Sequence, residues 1–255
     1  MSDEPVLTER RDGVLLITLN RPDARNAVNL ALAEGVAAAL DELDDSGDVS
    51  VGILTGAGGG FCAGMDLKAF VTGERPWVGD RGFAGIVQRG PRKPLIAAIE
   101  GFAVAGGLEV ALACDLIVAG RGAKLGIPEV KRSLVAAGGA LLRMPQRIPY
   151  GLAMELALTG DLITAERGAQ VGLVDRLADD GGAVDAALDL AAAIAKNGPL
   201  ALTATKQVLQ QQRDWGSGEF WAKQGEITAP VFTSNDAREG AIAFSEKREP
   251  NWTGS

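Results

Sequence analysis

One short pattern occurs twice in this chain and limits how it can fold. Ile53-Leu54-Thr55-Gly56 leads to Ala63-Gly64, and Ala98-Ile99-Glu100-Gly101 leads to Ala105-Gly106. In each copy a buried strand ends at glycine, a loop of small residues follows, and a helix then begins. Repetition of one strand–loop–helix unit predicts stacked turns of a single spiral, with the two loops side by side.

Hydrophobic patterning in the rest of the chain predicts an α/β protein. Alternation over residues 5–20 predicts a hairpin about Asp12-Gly13, and Asn29 is placed to cap a helix. Residues 73–94 are rich in Gly, Pro and charge, which predicts a mobile loop with one helix. Further predicted strands are 49–55, 95–99 and 116–119, and predicted helices are 105–113, 139–147, 151–159, 164–171, 183–197, 200–212, 216–231 and 235–246.

Charge and the absence of histidine exclude several classes of function. The 25 basic and 33 acidic residues give a net charge of −8, and such a surface repels nucleic acid and anionic lipid. Because the chain has no histidine, Ser-His-Asp and Cys-His catalysis and His-ligated zinc are excluded. Acid–base chemistry must therefore use Asp, Glu, Lys, Tyr or Cys, and we predict neither a metal site nor a nucleic-acid partner.

Cysteine usage and the N-terminus predict a cytoplasmic protein. The two cysteines, Cys62 and Cys114, are far apart in sequence, which is typical of a reducing compartment. Cys62 has no basic neighbour and is predicted to be an inert thiol. Residues 1–5 are polar and acidic, unlike a signal peptide. The most apolar stretch, 95–120, contains three acidic residues, so we interpret it as buried core rather than a membrane span.

The stretch Phe61–Leu67 is the first candidate for chemistry. Its small residues would let the backbone approach a ligand closely. Asp66 is placed to cap the following helix, which would leave the N–H of Met65 unpaired and free to point at an anion. The alternative is a tight turn with a helix cap and no ligand.

The stretch Val104–Glu109 is the second candidate. Gly106 is predicted at a helix N-terminus, where unpaired N–H groups can form an oxyanion hole without side chains. Glu109 falls in the first turn, where the helix dipole favours its ionised form. Alternatively the glycines only allow close packing and Glu109 is solvated, but the apolar residues around Glu109 oppose that interpretation.

Glu129 is the third candidate. Pro128 fixes its approach, and apolar Ile127 and Val130 flank it. A carboxyl group in such surroundings has a raised pKa and can act as an acid near neutrality. The alternative is an ordinary helix-start glutamate.

A glycine-rich match to a dinucleotide fingerprint supports a competing class, a nicotinamide-dependent oxidoreductase. The segment from Gly58 to Ala63 fits G-x-G-x-x-A after a strand. The match is weak, because three adjacent glycines satisfy many patterns and no acid-ended strand stands about 20 residues further on.

Taken together, these segments resemble the crotonase superfamily, the enoyl-CoA hydratase/isomerase proteins. The stretch Ile96–Leu116 is similar to the family signature along its length. The resemblance extends over about residues 5–250. Segments in the family's order and spacing are Asn20-Arg21-Pro22, Phe61–Leu67, Pro128-Glu129, Leu158–Asp161, Gly172–Asp175 and Arg238–Arg248.

The resemblance implies a fold and an assembly. The fold would be an α/β spiral of β-β-α turns over residues 1–198, followed by a helical trimerisation region over residues 199–255. The chain would form a homotrimer or a dimer of trimers. Its substrate would be an acyl-CoA thioester, with no cofactor apart from the coenzyme A of the substrate itself.

The resemblance also implies roles for particular residues. Met65 and Gly106 correspond to the oxyanion hole, and Glu109 and Glu129 to the two glutamates that add water to the C2=C3 bond. Ala137 would help to hold that water. The implied coenzyme A contacts are Ala24, Arg25, Ala63, Asp66 and Leu67, with Phe244 and Lys247 from a C-terminal helix that can belong to a neighbouring subunit.

Two departures from the family pattern mean that the resemblance does not specify the acyl group of the substrate. Val135-Ala136-Ala137-Gly138-Gly139 stands where the hydratases have a Pro-Gly-x-Gly-Gly stretch, and Lys131-Arg132 replaces an apolar-Gly pair. With both glutamates kept, we expect an enoyl-CoA hydratase. The alternatives are a Δ3-Δ2 enoyl-CoA isomerase, a dehydratase of another hydroxyacyl-CoA such as a carnitinyl-type substrate, and a non-catalytic acyl-CoA binder.

Overall fold

The computed structural model describes residues 4–255. Residues 1–3, at the start of the predicted core region 1–198, lie outside the described residues. The strands are β1 (Val6–Arg11), β2 (Val14–Leu19), β3 (Val51–Gly56), β4 (Trp77–Val78), β5 (Gly82–Phe83), β6 (Leu95–Ile99), β7 (Phe102–Val104), β8 (Leu116–Gly120), β9 (Lys124–Gly126), β10 (Ile163–Thr164) and β11 (Arg176–Ala178).

The helices agree closely with the predicted segments. They are α1 (Leu30–Asp45), α2 (Leu67–Val71), α3 (Gly106–Ala113), α4 (Ala140–Arg147), α5 (Tyr150–Thr159), α6 (Ala165–Val171), α7 (Ala183–Ala195), α8 (Pro199–Gln211), α9 (Phe220–Phe232) and α10 (Asn235–Glu246). Short 3-10 helices cover Pro22–Ala24, Gly79–Arg81, Pro128–Arg132 and Gln212–Asp214. The side chain of Asn29 accepts a hydrogen bond from the N–H of Leu32, which confirms the predicted cap of α1.

The main sheet has six strands in the order β1-β2-β3-β6-β8-β11. β1 and β2 form the predicted antiparallel hairpin, and every other neighbouring pair is parallel. Parallel strands are usually covered on both faces, so their residues are apolar without alternation. On one face Ile53, Ile96 and Val118 pack against Leu190 of α7, and the other face joins the larger core around α1 and α3.

A second sheet turns the chain into the predicted spiral. It has the order β10-β9-β7, with β7 and β9 parallel. β6 and β8 lie in the main sheet, and the strand that follows each of them, β7 or β9, lies in the second sheet. A parallel bridge between Cys62 and Ala103 joins the loop after β3 to β7. The two repeated loops therefore lie side by side, as predicted.

The predicted helix within residues 73–94 is wrong. This segment forms the two-residue strands β4 and β5 around the 3-10 helix Gly79–Arg81. Left-handed glycines such as Gly82, with φ of 73°, interrupt any helix here. The rings of Trp77 and Phe83 pack edge to face with centroids 5.4 Å apart, so apolar contacts order the segment.

The C-terminal helices leave much of their apolar surface uncovered. Of their residues, Ala204, Asp236 and Ala243 are buried. Exposed large apolar side chains on α8 to α10 are Leu209, Phe220, Trp221, Phe232, Ile242 and Phe244. Within residues 4–255, no helix combines the length and apolar character needed to cross a membrane.

Candidate active site

A cavity of about 360 Å³ lies where the two repeated loops meet the 3-10 helix Pro128–Arg132. Its wall is mostly apolar, with two carboxyl groups and two guanidinium groups. The lining residues are Arg25, Ala63, Met65, Leu67, Trp77, Phe83, Val104, Ala105, Gly106, Glu109, Pro128, Glu129, Arg132, Leu134, Val135, Ala137 and Gly138. Such a mostly apolar pocket with a few convergent polar groups is typical of a small-molecule site.

Two main-chain N–H groups in this cavity have no partner among the described residues. Gly64 O accepts from the N–H of Val28, and the N–H of Asp66 donates to the Val28 carbonyl. The N–H of Met65 lies between them and donates to no described residue. The side chain of Asp66 accepts from the N–H groups of Lys68 and Ala69, which confirms the predicted cap of α2.

The second free N–H belongs to Gly106, the first residue of α3. The preceding residue, Ala105, has φ of 53° and ψ of −131°, a backbone conformation that residues other than glycine rarely adopt. This turn starts the helix at Gly106 and leaves its N–H unpaired among the described residues. A Cβ atom on Gly64 would lie 2.9 Å from the Gly106 nitrogen. The segments that carry the two N–H groups are therefore in direct contact.

Glu109 is buried in the first turn of α3, with 4% of its surface exposed. Its Oε1 accepts a hydrogen bond from the N–H of Ala140 at 3.2 Å. Burial raises the pKa of Glu109, whereas the N–H groups of Ala140 and Gly138 and the charge of Arg143 oppose that rise. The alternative of a solvated first-turn glutamate is therefore wrong.

Glu129 has a different environment from Glu109. Its Oε2 is buried and accepts no hydrogen bond from the described part of the chain. Burial is the main reason that the pKa of Glu129 rises to about 7, and the charge of Glu109 raises it further. A hydrogen bond from its own backbone N–H and the charge of Arg132 oppose the rise. Glu109 is thus held by N–H donors of a neighbouring loop, whereas Oε2 of Glu129 has no described partner and can carry a proton near neutrality.

Of the residues at the departures from the family pattern, Arg132 and Ala137 line the cavity and Lys131 does not. Lys131 points to Asp161, with its Nζ 2.7 Å from the carboxylate, and does not line the cavity. Arg132 lines the cavity and makes no hydrogen bond or ion pair with a described residue. Ala137 lines the cavity beside Gly138, opposite Glu109.

Several predicted coenzyme A contacts lie at the cavity, and others do not. Arg25, Ala63 and Leu67 line it, whereas Ala24 and Asp66 are next to lining residues. The guanidinium carbon of Arg25 lies 5.0 Å from the centroid of the Phe102 ring. Phe244 and Lys247 do not line the cavity of their own chain, and Phe244 is 87% exposed.

Three of the lining residues, Trp77, Phe83 and Leu134, were not singled out from the sequence. Trp77 and Phe83 come from the segment predicted as a loop with a helix, and Leu134 and Val135 follow the 3-10 helix. Arg132 and Val135 stood out only as departures from the family pattern. The aromatic residues at 77 and 83 were the available signal, because large apolar side chains in a Gly-rich segment must pack somewhere.

Close packing accounts for the glycines of the dinucleotide-like match and for the inert cysteine. A Cβ atom on Gly58 would lie 2.6 Å from the Cβ of Pro22, and one on Gly60 would lie 2.5 Å from the Phe102 ring. Cys62 is fully buried, and burial raises the pKa of its thiol to about 12, as expected for an unreactive thiol.

Comparison with known proteins supports the predicted family. The family model described as Enoyl-CoA hydratase/isomerase matches residues 9–255. Enoyl-CoA hydratase EchA19 of Mycobacterium tuberculosis is 44% identical over 98% of this chain and 97% of the relative. Carnitinyl-CoA dehydratase of Salmonella arizonae is 37% identical over the full length of both chains.

Solved structures agree with the sequence relatives. Enoyl-CoA hydratase EchA1 from Mycobacterium marinum superposes with a TM-score of 0.97 at 58% identity, covering 99% of this chain and all of that one. This agreement confirms the predicted α/β spiral. The chain belongs to the enoyl-CoA hydratase/isomerase family, the crotonase superfamily.

Proposed function

We propose that this protein is an enoyl-CoA hydratase that adds water reversibly, in the syn sense, to a 2-enoyl-CoA to give a 3-hydroxyacyl-CoA. One observation carries the proposal. The carboxyl groups of Glu109 and Glu129 line the same cavity as the unpaired N–H groups of Met65 and Gly106. The names of the relatives, enoyl-CoA hydratases among them, agree with this reaction.

The two N–H groups would bind the thioester oxygen. Attack on C3 pushes electrons onto this oxygen and forms an enolate, which is an anion. Backbone donors that are fixed by the fold stabilise such an anion without reorganisation. Loss of one donor in other oxyanion holes costs about 2.7–4 kcal/mol of transition-state stabilisation. Met65 and Gly106 supply the donors from two contacting loops.

The two glutamates would divide the proton transfers. Glu109, stabilised as a carboxylate by two N–H donors, takes a proton from water while the hydroxyl oxygen bonds to C3. Glu129, with a pKa of about 7, gives its proton to C2 as the enolate collapses. Exchange with solvent then removes the proton from Glu109 and returns one to Glu129. The N–H of Ala137 would help to hold the water opposite Glu109.

Coenzyme A and a neighbouring subunit are the expected partners of the cavity. Arg25, Ala63 and Leu67, with their neighbours Ala24 and Asp66, would contact coenzyme A at one end of the cavity. Phe244 and Lys247 would close the adenine pocket of a neighbouring subunit in a homotrimer or dimer of trimers. The exposed aromatic side chains of α9 and α10 support such an assembly.

The proposed chemistry has no need of a further cofactor, because main-chain amides and carboxyl groups perform each step. Coenzyme A enters as part of the substrate. We also propose a cytoplasmic location, which two buried, unpaired cysteines support.

A second candidate is a carnitinyl-type dehydratase, which the relatives of that name favour. A carnitinyl group carries a quaternary ammonium cation. Arg132 places an unpaired positive charge in the cavity wall, and two like charges in one pocket repel. This charge makes the hydratase the better candidate. The presence of both glutamates likewise favours a hydratase over a Δ3-Δ2 enoyl-CoA isomerase.

Reaction of the wild-type protein with crotonyl-CoA in deuterated water tests the function. A hydratase gives 3-hydroxybutyryl-CoA with one deuterium at C2, on the same face as the new hydroxyl group. Conversion of a 3-enoyl-CoA without hydration would assign an isomerase instead. Dehydration of carnitinyl-CoA alone would assign the second candidate, and binding without turnover would show an acyl-CoA binder.

A further inference from the structure

Arg132 is a cation in the cavity wall that the proposed mechanism does not use. The cavity has two guanidinium groups, and Arg25 lies against the ring of Phe102. Arg132 makes no hydrogen bond, ion pair or ring contact with any residue from 4 to 255. The neighbouring cation, Lys131, is held by Asp161 outside the cavity. Arg132 is therefore available to a ligand, whereas Lys131 is not.

The position of Arg132 relates it to the reacting carbons. Arg132 and Glu129 belong to one 3-10 helix, Pro128–Arg132, and are three residues apart. A 3-10 helix has three residues per turn, so side chains at this spacing lie on the same face. The charge of Arg132 also lowers the pKa of Glu129, which places the two side chains within electrostatic range. The cation is thus beside the proposed acid that protonates C2.

An aliphatic acyl chain would not use this charge. The cavity wall also contains Leu134 and Val135, which are exposed to solvent with Arg132 in the single chain, together with apolar residues of the other loops. A substrate that fills the cavity removes water from the Arg132 guanidinium, and an unpaired charge in an apolar setting is costly. A carboxylate would compensate, because the planar guanidinium can donate two parallel hydrogen bonds to it.

We propose that Arg132 binds a carboxylate at the distal end of the acyl group, so that the preferred substrate is an enoyl-CoA derived from a dicarboxylic acid. The inference rests on the proposed hydratase function and specifies its substrate class. Arg132 would act as a specificity-determining residue and would take no part in proton transfer. The phosphates of coenzyme A are the competing source of negative charge, and the experiment below separates them from the acyl carboxylate.

Paired substrates test this specificity. Glutaconyl-CoA ends in a carboxylate, and 5-methylhex-2-enoyl-CoA carries an isopropyl group of similar shape in its place. We expect the wild-type kcat/KM to favour glutaconyl-CoA by roughly 10- to 100-fold, as for a hydrogen bond between charged groups. Arg132→Met should abolish this preference mainly by lowering kcat/KM for glutaconyl-CoA. Arg132→Lys should keep part of it, because the charge remains without the planar fork.

Lys131→Met is the matched control, because it removes an adjacent cation that does not line the cavity. It should keep the wild-type preference. No preference in the wild type, or an unchanged preference in Arg132→Met, would overturn the inference. An equal loss for both substrates in Arg132→Met would also overturn it and assign Arg132 to the phosphates of coenzyme A. Hydration of crotonyl-CoA by the wild type separates these outcomes from failure of the hydratase function itself.

Discussion

A Cβ atom on Gly138 would lie 2.5 Å from Oε2 of Glu109, so a side chain at position 138 would have to displace this carboxylate. The same loop supplies the N–H groups of Gly138 and Ala140 that stabilise the charged form of Glu109. These N–H groups favour the charged form of Glu109 although it is buried, which suits the proposed role of this glutamate as the base. A substitution at Gly138 therefore perturbs Glu109 while both carboxyl groups are kept.

Gly138→Ala should lower kcat for crotonyl-CoA by at least about 10-fold, because misplacement of a catalytic group by even 1 Å is costly. The added methyl group must displace the Glu109 side chain or the loop. Gly151→Ala is the control, since a Cβ atom there meets nothing within 4 Å. A Gly138→Ala enzyme with the wild-type kcat would show that Glu109 does not need its present position.

The pH dependence of hydration should follow the glutamate pair. Catalysis requires one proton on the pair, so kcat/KM should fall by roughly tenfold per pH unit above about 7, where Glu129 loses its proton. A second fall at acid pH marks protonation of Glu109, whose pKa is raised by burial. The ratio of kcat/KM values for hydration and dehydration is an equilibrium constant, so both directions should show the same two limbs. A flat profile from pH 6 to 9, which spans the pKa of about 7, would contradict the assignment of Glu129.

Stability should also depend on the protonation of Glu129. Its folded-state pKa of about 7 lies above the value of about 4.3 in an unfolded chain, so the folded protein binds this proton more tightly. The stabilisation of the folded state by this proton is fully present below a pH of about 4.3 and is lost as the pH rises to about 7. Glutamine does not titrate, so Glu129→Gln does not lose this stabilisation. Its free energy of unfolding should therefore rise by about 1–3 kcal/mol relative to that of the wild type as the pH increases between these two values. Denaturant unfolding at both ends of the range measures it, and a constant difference would contradict the raised pKa.

The exposed C-terminal aromatics should mark the subunit interface. Trp221 is 83% exposed on α9 within one chain. We expect the wild type to have the mass of a trimer or hexamer by light scattering, and Trp221→Glu to shift it to a smaller species. Val71→Glu changes an equally exposed apolar residue on α2 and should keep the assembly. A monomeric wild type would contradict the proposed trimer.

The fold was predictable where burial is periodic and elements are long. The main-sheet strands β1, β2, β3, β6 and β8, and α1 to α10 except the five-residue α2, follow from apolar spacing and from caps such as Asn29 and Gly160. The short strands β4, β5, β7 and β9 to β11 could not be found this way. Two or three residues do not establish a period, and their pairing depends on contacts with distant segments.

The reacting groups of the candidate site were easier to predict from the sequence than the residues that form the cavity wall. The absence of histidine and the apolar residues around Glu109 and Glu129 indicated buried carboxyl groups, and the raised pKa of Glu129 agrees with that prediction. Trp77 and Phe83 reach the cavity wall from a loop whose path is set by tertiary packing, such as the contact between their own rings. The position of Arg132 in the cavity wall likewise depends on the 3-10 helix Pro128–Arg132, whose short length leaves no periodic signal in the sequence.

The central claim is that two carboxyl groups from separate turns of the spiral act on one substrate molecule. The most direct test is kcat/KM for crotonyl-CoA with Glu109→Gln, Glu129→Gln and the double variant, with acyl-CoA binding measured in parallel. We predict that each single variant loses at least about 100-fold while binding is kept, and that the double variant is little slower than the worse single one. A wild-type rate in either single variant would remove that glutamate from the reaction and contradict the account.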